Sequence, residues 1–243
     1  MIRLVQLKRS WGLPNVSPAC MKLETWLRMT DVPYEVAPLD MANAPKGKVP
    51  YIVLEDGIRM GDSTLIVEHL ATQHGRSPDA ELTAEQRAVS LAFRRMMKEE
   101  LYWVICHSRY KDTRNWGTYK QLLVESLEGV PQEQRPAVAD MYQKIIVDQL
   151  QGQGMGRHSQ EEVYRLGIED VTAVSDYLGD KPFFMGARPT TVDATVYAYL
   201  ANIVEVPLES PVKDFGLSRG NVVGYLRRMR SRFFPELAPH ASR

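Results

Sequence analysis

Ser17-Pro18-Ala19-Cys20-Met21-Lys22-Leu23-Glu24-Thr25 is the stretch on which the fold turns. Ahead of it, residues 2–7 alternate in the manner of a strand. From Pro18 to Met29 the apolar Leu23, Trp26 and Leu27 fall at helical spacing. Proline suits the first position of a helix, which makes Ser17 the N-cap. The tetrapeptide Ser17-Pro18-Ala19-Cys20 has the pattern of a redox Cys-x-x-Cys turn whose first thiol has become a hydroxyl. A helix N-terminus carries partial positive charge and favours an anion such as a thiolate. That thiolate is either the protein's own, from Cys20, or one belonging to a ligand.

Working outward, Tyr34-Glu35-Val36 reads as a short strand closed by Pro38, and Tyr51-Ile52-Val53-Leu54 as an apolar one. Glu55-Asp56-Gly57 is a turn signal before the strand Ile58-Arg59-Met60, and residues 63–73 read as a helix. The expected order within residues 1–75 is therefore β-α-β, a hairpin, then α. Gly75-Arg76-Ser77-Pro78-Asp79 is a linker by composition. Thr83-Ala84-Glu85-Gln86 then has the capping-box pattern, and it opens a long helix over residues 84–109 with Val89, Phe93, Met96, Met97, Leu101, Val104 and Ile105 at three- and four-residue steps. Further helices are expected over 119–127, 137–150, 161–178 and 221–229, with another cap at Thr190-Thr191-Val192-Asp193. Residues 84–243 thus read as a second, all-helical domain.

Thirty basic and thirty acidic residues cancel. A zero balance argues against nucleic acid as the main partner, because phosphate binding usually leaves a basic excess. The basic run Arg227-Arg228-Met229-Arg230-Ser231-Arg232 reads as a solvated helix face. Cys20 and Cys106 are far apart, so no disulfide framework is expected and a reducing cytoplasm is the natural setting. No apolar run approaches membrane-spanning length. His69 and His74 lack metal-ligand spacing, and no metal is expected.

Three short motifs are candidates for chemistry. The Ser17 hydroxyl can simply cap its helix, or it can donate to a ligand thiolate. A free thiol titrates at about 8.5, and lowering it by about two units takes roughly 2.7 kcal/mol. One hydrogen bond to a charged group supplies about 1.5–3 kcal/mol, and the helix N-terminus about 0.3–1 kcal/mol. No catalytic base is then required. Gly47-Lys48-Val49-Pro50 precedes a strand, where a cis bond would expose the Val49 backbone to an extended ligand. Asp62-Ser63 starts a helix. Asp62 or Ser63 caps it, or the pair binds an amino-acid head group, carboxylate on the helix start and ammonium on Asp62.

With these motifs in this order, the chain resembles the glutathione S-transferase superfamily, and within it the failed-axon-connections and metaxin-like branch. The narrower likeness rests on residues 17–25, Lys46-Gly47-Lys48-Val49-Pro50-Tyr51-Ile52, Glu99-Glu100-Leu101-Tyr102-Trp103, Gly156-Arg157-His158-Ser159, and Leu178-Gly179-Asp180-Lys181-Pro182-Phe183-Phe184. The resemblance implies an α/β thioredoxin-like N-terminal domain, an all-α helical C-terminal domain and glutathione as co-substrate. By position, Ser17 stabilises the thiolate, Val49 pairs with the cysteinyl unit, and Pro50 is the cis-proline. Asp62 and Ser63 hold the γ-glutamyl group, and Lys48 meets the glycine carboxylate. Trp11, Tyr102, Cys106 and Arg109 are candidates for the acceptor pocket. A small electrophile is the second substrate, and a homodimer is expected from the resemblance. Two other readings stay open: a glutathione-dependent thiol–disulfide reductase using Cys20, and a non-catalytic interaction protein that keeps the fold.

Overall fold

The computed structural model describes residues 1–237; residues 238–243 of the expected helical domain lie outside the described residues. Strand β1 (Ile2–Val5) pairs in parallel with β2 (Tyr34–Ala37) and antiparallel with β3 (Tyr51–Val53), which in turn pairs antiparallel with β4 (Arg59–Gly61). The order is β2-β1-β3-β4. Helix α1 (Pro18–Met29) makes the crossover that a parallel pair requires. At the hairpin, Gly57 takes a φ of 86°, which a side chain would resist, and its amide donates to the Leu54 carbonyl at 2.9 Å. Helix α2 (Ser63–His74) closes the unit, so the β-α-β, hairpin, α order holds.

α1 is buried on two sides, and this joins the two parts of the molecule. Leu23, Trp26 and Leu27 pack with Ile2, Leu4 and Ile52 of the sheet and with Ile66 and Leu70 of α2. Met21 belongs to the other core, that of the helical part. There α1 meets α8 (Thr191–Val204), whose every residue is buried; a helix apolar all round belongs at the centre of a core. Helices α9 (Pro211–Ser218) and α10 (Gly220–Phe233) pack on α8, α7 (Gln160–Leu178) packs on α9, and α5 (Thr113–Ser126) packs on α6 (Arg135–Gln153).

The helix expected over 84–109 is in fact α3 (Ala84–Met96), a π-helical turn (Met97–Leu101) and α4 (Tyr102–Tyr110). The wider turn shifts the helical phase. Before it Val89 and Phe93 are only half-buried, whereas after it Leu101, Val104 and Ile105 are all in the core. Helix α9 was not anticipated. Its signal was nevertheless present: Ser210-Pro211 repeats the Ser-Pro start of α1, and the Ser210 hydroxyl accepts from the Lys213 amide at 3.1 Å.

The start of α8 is a capping box in which Thr190 is the N-cap and Asp193 its N3 partner. Asp193 is fully buried, and accepts from the Phe184 amide at 2.7 Å, the Thr190 amide at 2.7 Å and the Tyr225 hydroxyl at 3.1 Å. Replacing Asp193 by Ala strands those donors at about 1–3 kcal/mol each and breaks a capping box worth about 1 kcal/mol. Thermal unfolding should fall by about 10 °C, at roughly 2–4 °C per kcal/mol for a chain of this size. A variant melting within 2–3 °C of the wild type would show that the cap is dispensable.

Candidate functional site

Ser17 sits at the N-terminus of α1 in extended conformation, half-buried, with its Oγ accepting from the Cys20 amide at 3.4 Å. That bond is long, and it occupies a lone pair of the oxygen. The hydroxyl proton is left for a ligand. The Ser17 backbone and the two residues before it are held by Asn15, Asn202 and Arg109. The Ser17 amide donates to Asn15 Oδ1 at 3.0 Å, and Asn15 Nδ2 donates to the Leu7 carbonyl at 2.7 Å. Asn202 on α8 donates to the Asn15 carbonyl at 3.1 Å. Arg109 on α4 donates to the Val16 carbonyl at 2.6 Å, and to Asn202 Oδ1 at 2.7 Å. The long loop after β1 is thus tied to the helical part of the molecule just before Ser17.

Sequence reasoning missed Asn15 and Asn202. For Asn202 a signal existed: it is a lone amide in the apolar run from Val196 to Val204, and a buried polar group must find partners. Arg109 requires a correction. It was expected to line the acceptor pocket, but it is 4% exposed, and its guanidinium is engaged by Val16 and Asn202 and stacks over Tyr119 at 5.2 Å. Its place is beneath the Ser17 loop.

The Val49–Pro50 bond is cis, and Val49 lies just beyond the last paired residue of the ladder, where Tyr51 faces Val5. Lys48 beside it is exposed. At the start of α2 the cap is Asp62 and not Ser63. Asp62 Oδ1 accepts from the Thr64 amide at 2.8 Å and the Leu65 amide at 3.3 Å, while Oδ2 lies 3.6 Å from Lys98 Nζ. Partial burial pushes the Asp62 carboxyl up, but those amides and the Lys98 and Lys22 charges outweigh it and hold it below the usual carboxylate range. It is therefore a carboxylate at neutral pH, suited to an ammonium. Ser63 follows, buried, in the first turn of α2.

The other residues expected at the acceptor pocket lie on the loop after β1 and on α4. Trp11, in the left-handed region at φ 55°, packs on Tyr119 with ring centroids 5.9 Å apart. The half-buried Tyr102 lies beside Cys106, and each group shifts the titration of the other. Cys106, also expected to line the acceptor pocket, is instead 3% exposed within the helical core, and burial pushes its thiol up to about 11, although Tyr102, Arg109 and Lys48 pull the other way. The Cys106 thiol and burial together keep the Tyr102 phenol protonated well above its ordinary range. Cys20 is fully buried, and its thiol is also pushed up to about 11, chiefly by desolvation, with Ser17 opposing. A thiol so placed holds less thiolate at neutral pH than a free one, so the anion at this turn is better supplied by a ligand. Among the described residues there is no cluster of His, Cys, Asp and Glu able to hold a metal ion, and no helix long and apolar enough to cross a membrane.

Comparison with known proteins agrees with this geometry. A glutathione S-transferase N-terminal domain model matches residues 18–115, and a glutathione S-transferase C-terminal domain model matches residues 167–229. The isoprene-epoxide–glutathione S-transferase of Rhodococcus sp. (strain AD45) is 37% identical over 238 residues, covering 96% of this chain and 99% of that protein. Failed axon connections of Drosophila melanogaster is 32% identical over 248 residues, covering 97% of this chain and 59% of the longer relative. Among solved structures, a glutathione S-transferase of Methylobacterium radiotolerans in complex with glutathione sulfonate superposes with a TM-score of 0.61 at 16% identity, covering 100% of this chain and 96% of that one. The chain belongs to the glutathione S-transferase superfamily, and within it to the failed-axon-connections and metaxin-like branch.

Proposed function

We propose that this protein is a glutathione transferase that ionises the glutathione thiol beside Ser17 and delivers it to a small epoxide. The observation that carries the reading is the Ser17 hydroxyl at the start of α1, which accepts from the Cys20 amide and keeps its own proton for a ligand. The epoxide is named because the Rhodococcus relative is called an isoprene-epoxide transferase. In the proposed step the thiolate sulfur bonds to one ring carbon, the carbon–oxygen bond breaks, and the ring oxygen takes a proton. Tyr102, kept protonated by its surroundings, is the group we assign to donate toward that oxygen. Asp62 and Ser63 would hold the γ-glutamyl end, Val49 the cysteinyl backbone and Lys48 the glycine carboxylate, so that proximity does most of the remaining work. A cytoplasmic setting suits both the co-substrate and the two free cysteines.

Thermal melting with glutathione tests the reading at its first step. Ligand at 100 times its dissociation constant stabilises by about 2.7 kcal/mol, which is roughly 5–10 °C for a chain of this length. No shift at saturating glutathione would remove the transferase and leave the non-catalytic interaction protein.

A further inference from the structure

A second polar crevice, narrow and partly enclosed, lies between α1, α2, α3 and α8. Its chemistry is one-sided. Lys22 of α1, 8% exposed, spends one of its three N–H donors on the Thr64 hydroxyl at 2.9 Å, and no carboxylate lies within 4 Å of it among the described residues. Trp26 Nε1 is fully buried and has no acceptor. Arg94 Nε on α3 is likewise buried without an acceptor. All three side chains line the same crevice, with Arg95 and Lys98 alongside and only Glu68 carrying negative charge. Asp62, at the α2 cap, is the other carboxylate that acts on Lys22.

Buried donors without acceptors are costly, and a buried ammonium without a counter-ion more so. Three such residues lining one crevice call for a ligand rich in acceptors and negative in charge. From this we infer that the α1–α2–α3 crevice is an oxyanion site, separate from the Ser17 centre, which takes a phosphate or carboxylate group through Lys22, Trp26 and Arg94. Glutathione need not be bound for this site to form, so the assignment stands apart from the proposed transferase reaction.

Lys22 gives the site a pH signature. Desolvation lowers its ammonium to about 7, with Lys98 and Arg94 adding to the effect and Asp62 and Glu68 opposing it. The α8 residues that face the crevice, Thr191, Ala194 and Thr195, carry no charge. Below pH 7 the ammonium is charged and ready for an anion. Above pH 7 it must take up a proton to bind one, and affinity should fall about tenfold between pH 6.5 and 8.

The test is calorimetric titration of the whole protein with sulfate, whose charge is constant over this range, against chloride at matched ionic strength. A parallel titration with acetate separates the tetrahedral from the carboxylate source. Saturable binding of either anion is expected, with proton uptake at pH 8 and at least tenfold weaker binding in both Lys22→Met and Arg94→Gln. Arg94 is on a half-exposed helix face, so that variant remains informative if Lys22→Met fails to fold. Absence of binding by both anions beyond the chloride control overturns the assignment. So does binding that both variants leave unchanged, or one-for-one displacement of sulfate by glutathione, which would make these donors part of the glutathione site.

Discussion

Ser17→Ala should lower kcat/KM for glutathione conjugation by roughly 10- to 100-fold, the worth of one hydrogen bond to a charged sulfur at about 1.5–3 kcal/mol. The same change should raise the pKa of the bound thiol by about one to two units, since each unit is about 1.4 kcal/mol. Both effects have one cause. Ser17 Oγ accepts the Cys20 amide through a lone pair, and only its proton is available to the thiolate. The substitution also removes an N-cap, at about 1 kcal/mol, so a small loss of melting temperature is expected beside the kinetic loss. The ultraviolet absorbance of the bound thiolate, followed against pH, separates the two, because a mere loss of helix stability does not move it. Cys20→Ala is the matched control, and should leave conjugation within a few-fold of the wild type. Conjugation undiminished in Ser17→Ala would refute the assignment. Conjugation lost in Cys20→Ala alone would transfer the chemistry to the buried thiol, against the burial that holds it protonated.

Much of this site could be read from the chain because its parts are local. A helix cap, a strand-opening proline and a turn each declare themselves within three or four residues. For that reason Ser17, Pro50 and Asp62 occupy the kinds of position that their neighbours in sequence imply. What escaped was non-local. Arg109 looked like a pocket residue because its spacing from Tyr102 and Cys106 puts them on one helix. Nothing nearby in sequence reveals that its partners are the carbonyl of Val16 and the amide of Asn202, some 93 residues away on either side. The π turn at Met97–Leu101 was hidden for a related reason. Its residues are ordinary helix formers, and the register shift shows only when both halves of the helix are packed against α8. The crevice at Lys22 is the same lesson in a third form. In sequence Lys22 is a charged residue on an amphipathic helix; in the fold, a second layer of helices covers it.

Arg109→Met is the second large effect, and it probes the tie between the two halves of the molecule. The side chain is long enough to fill most of the same space, but it donates nothing. Val16 O, Asn202 O and Asn202 Oδ1, at 2.6, 3.1 and 2.7 Å in the native fold, all lose their donor. Leaving buried acceptors unpaired costs about 1–3 kcal/mol each, and some relaxation makes about 3–5 kcal/mol a reasonable total. At roughly 2–4 °C per kcal/mol, melting should fall by about 10 °C. The functional consequence follows from position. The Val16 carbonyl is one peptide unit from Ser17, and Asn15, whose side chain holds the Ser17 amide, is itself anchored at its backbone carbonyl by Asn202. A displacement of about 1 Å at a reacting group can cost on the order of 100-fold in rate. On the proposed reading, kcat should therefore fall 10- to 100-fold at a temperature where the variant is fully folded. The KM for glutathione should change little, because Val49, Asp62 and Ser63 are untouched. Arg109→Lys keeps the charge and can reach only one of the carbonyls, so it should recover part of the stability and less of the rate. A purely structural Arg109 gives a different pattern: lower melting, but an unchanged kcat and an unchanged pKa of the bound thiol. That pattern would reduce Arg109 to a packing residue and leave Ser17 positioned by its own helix alone.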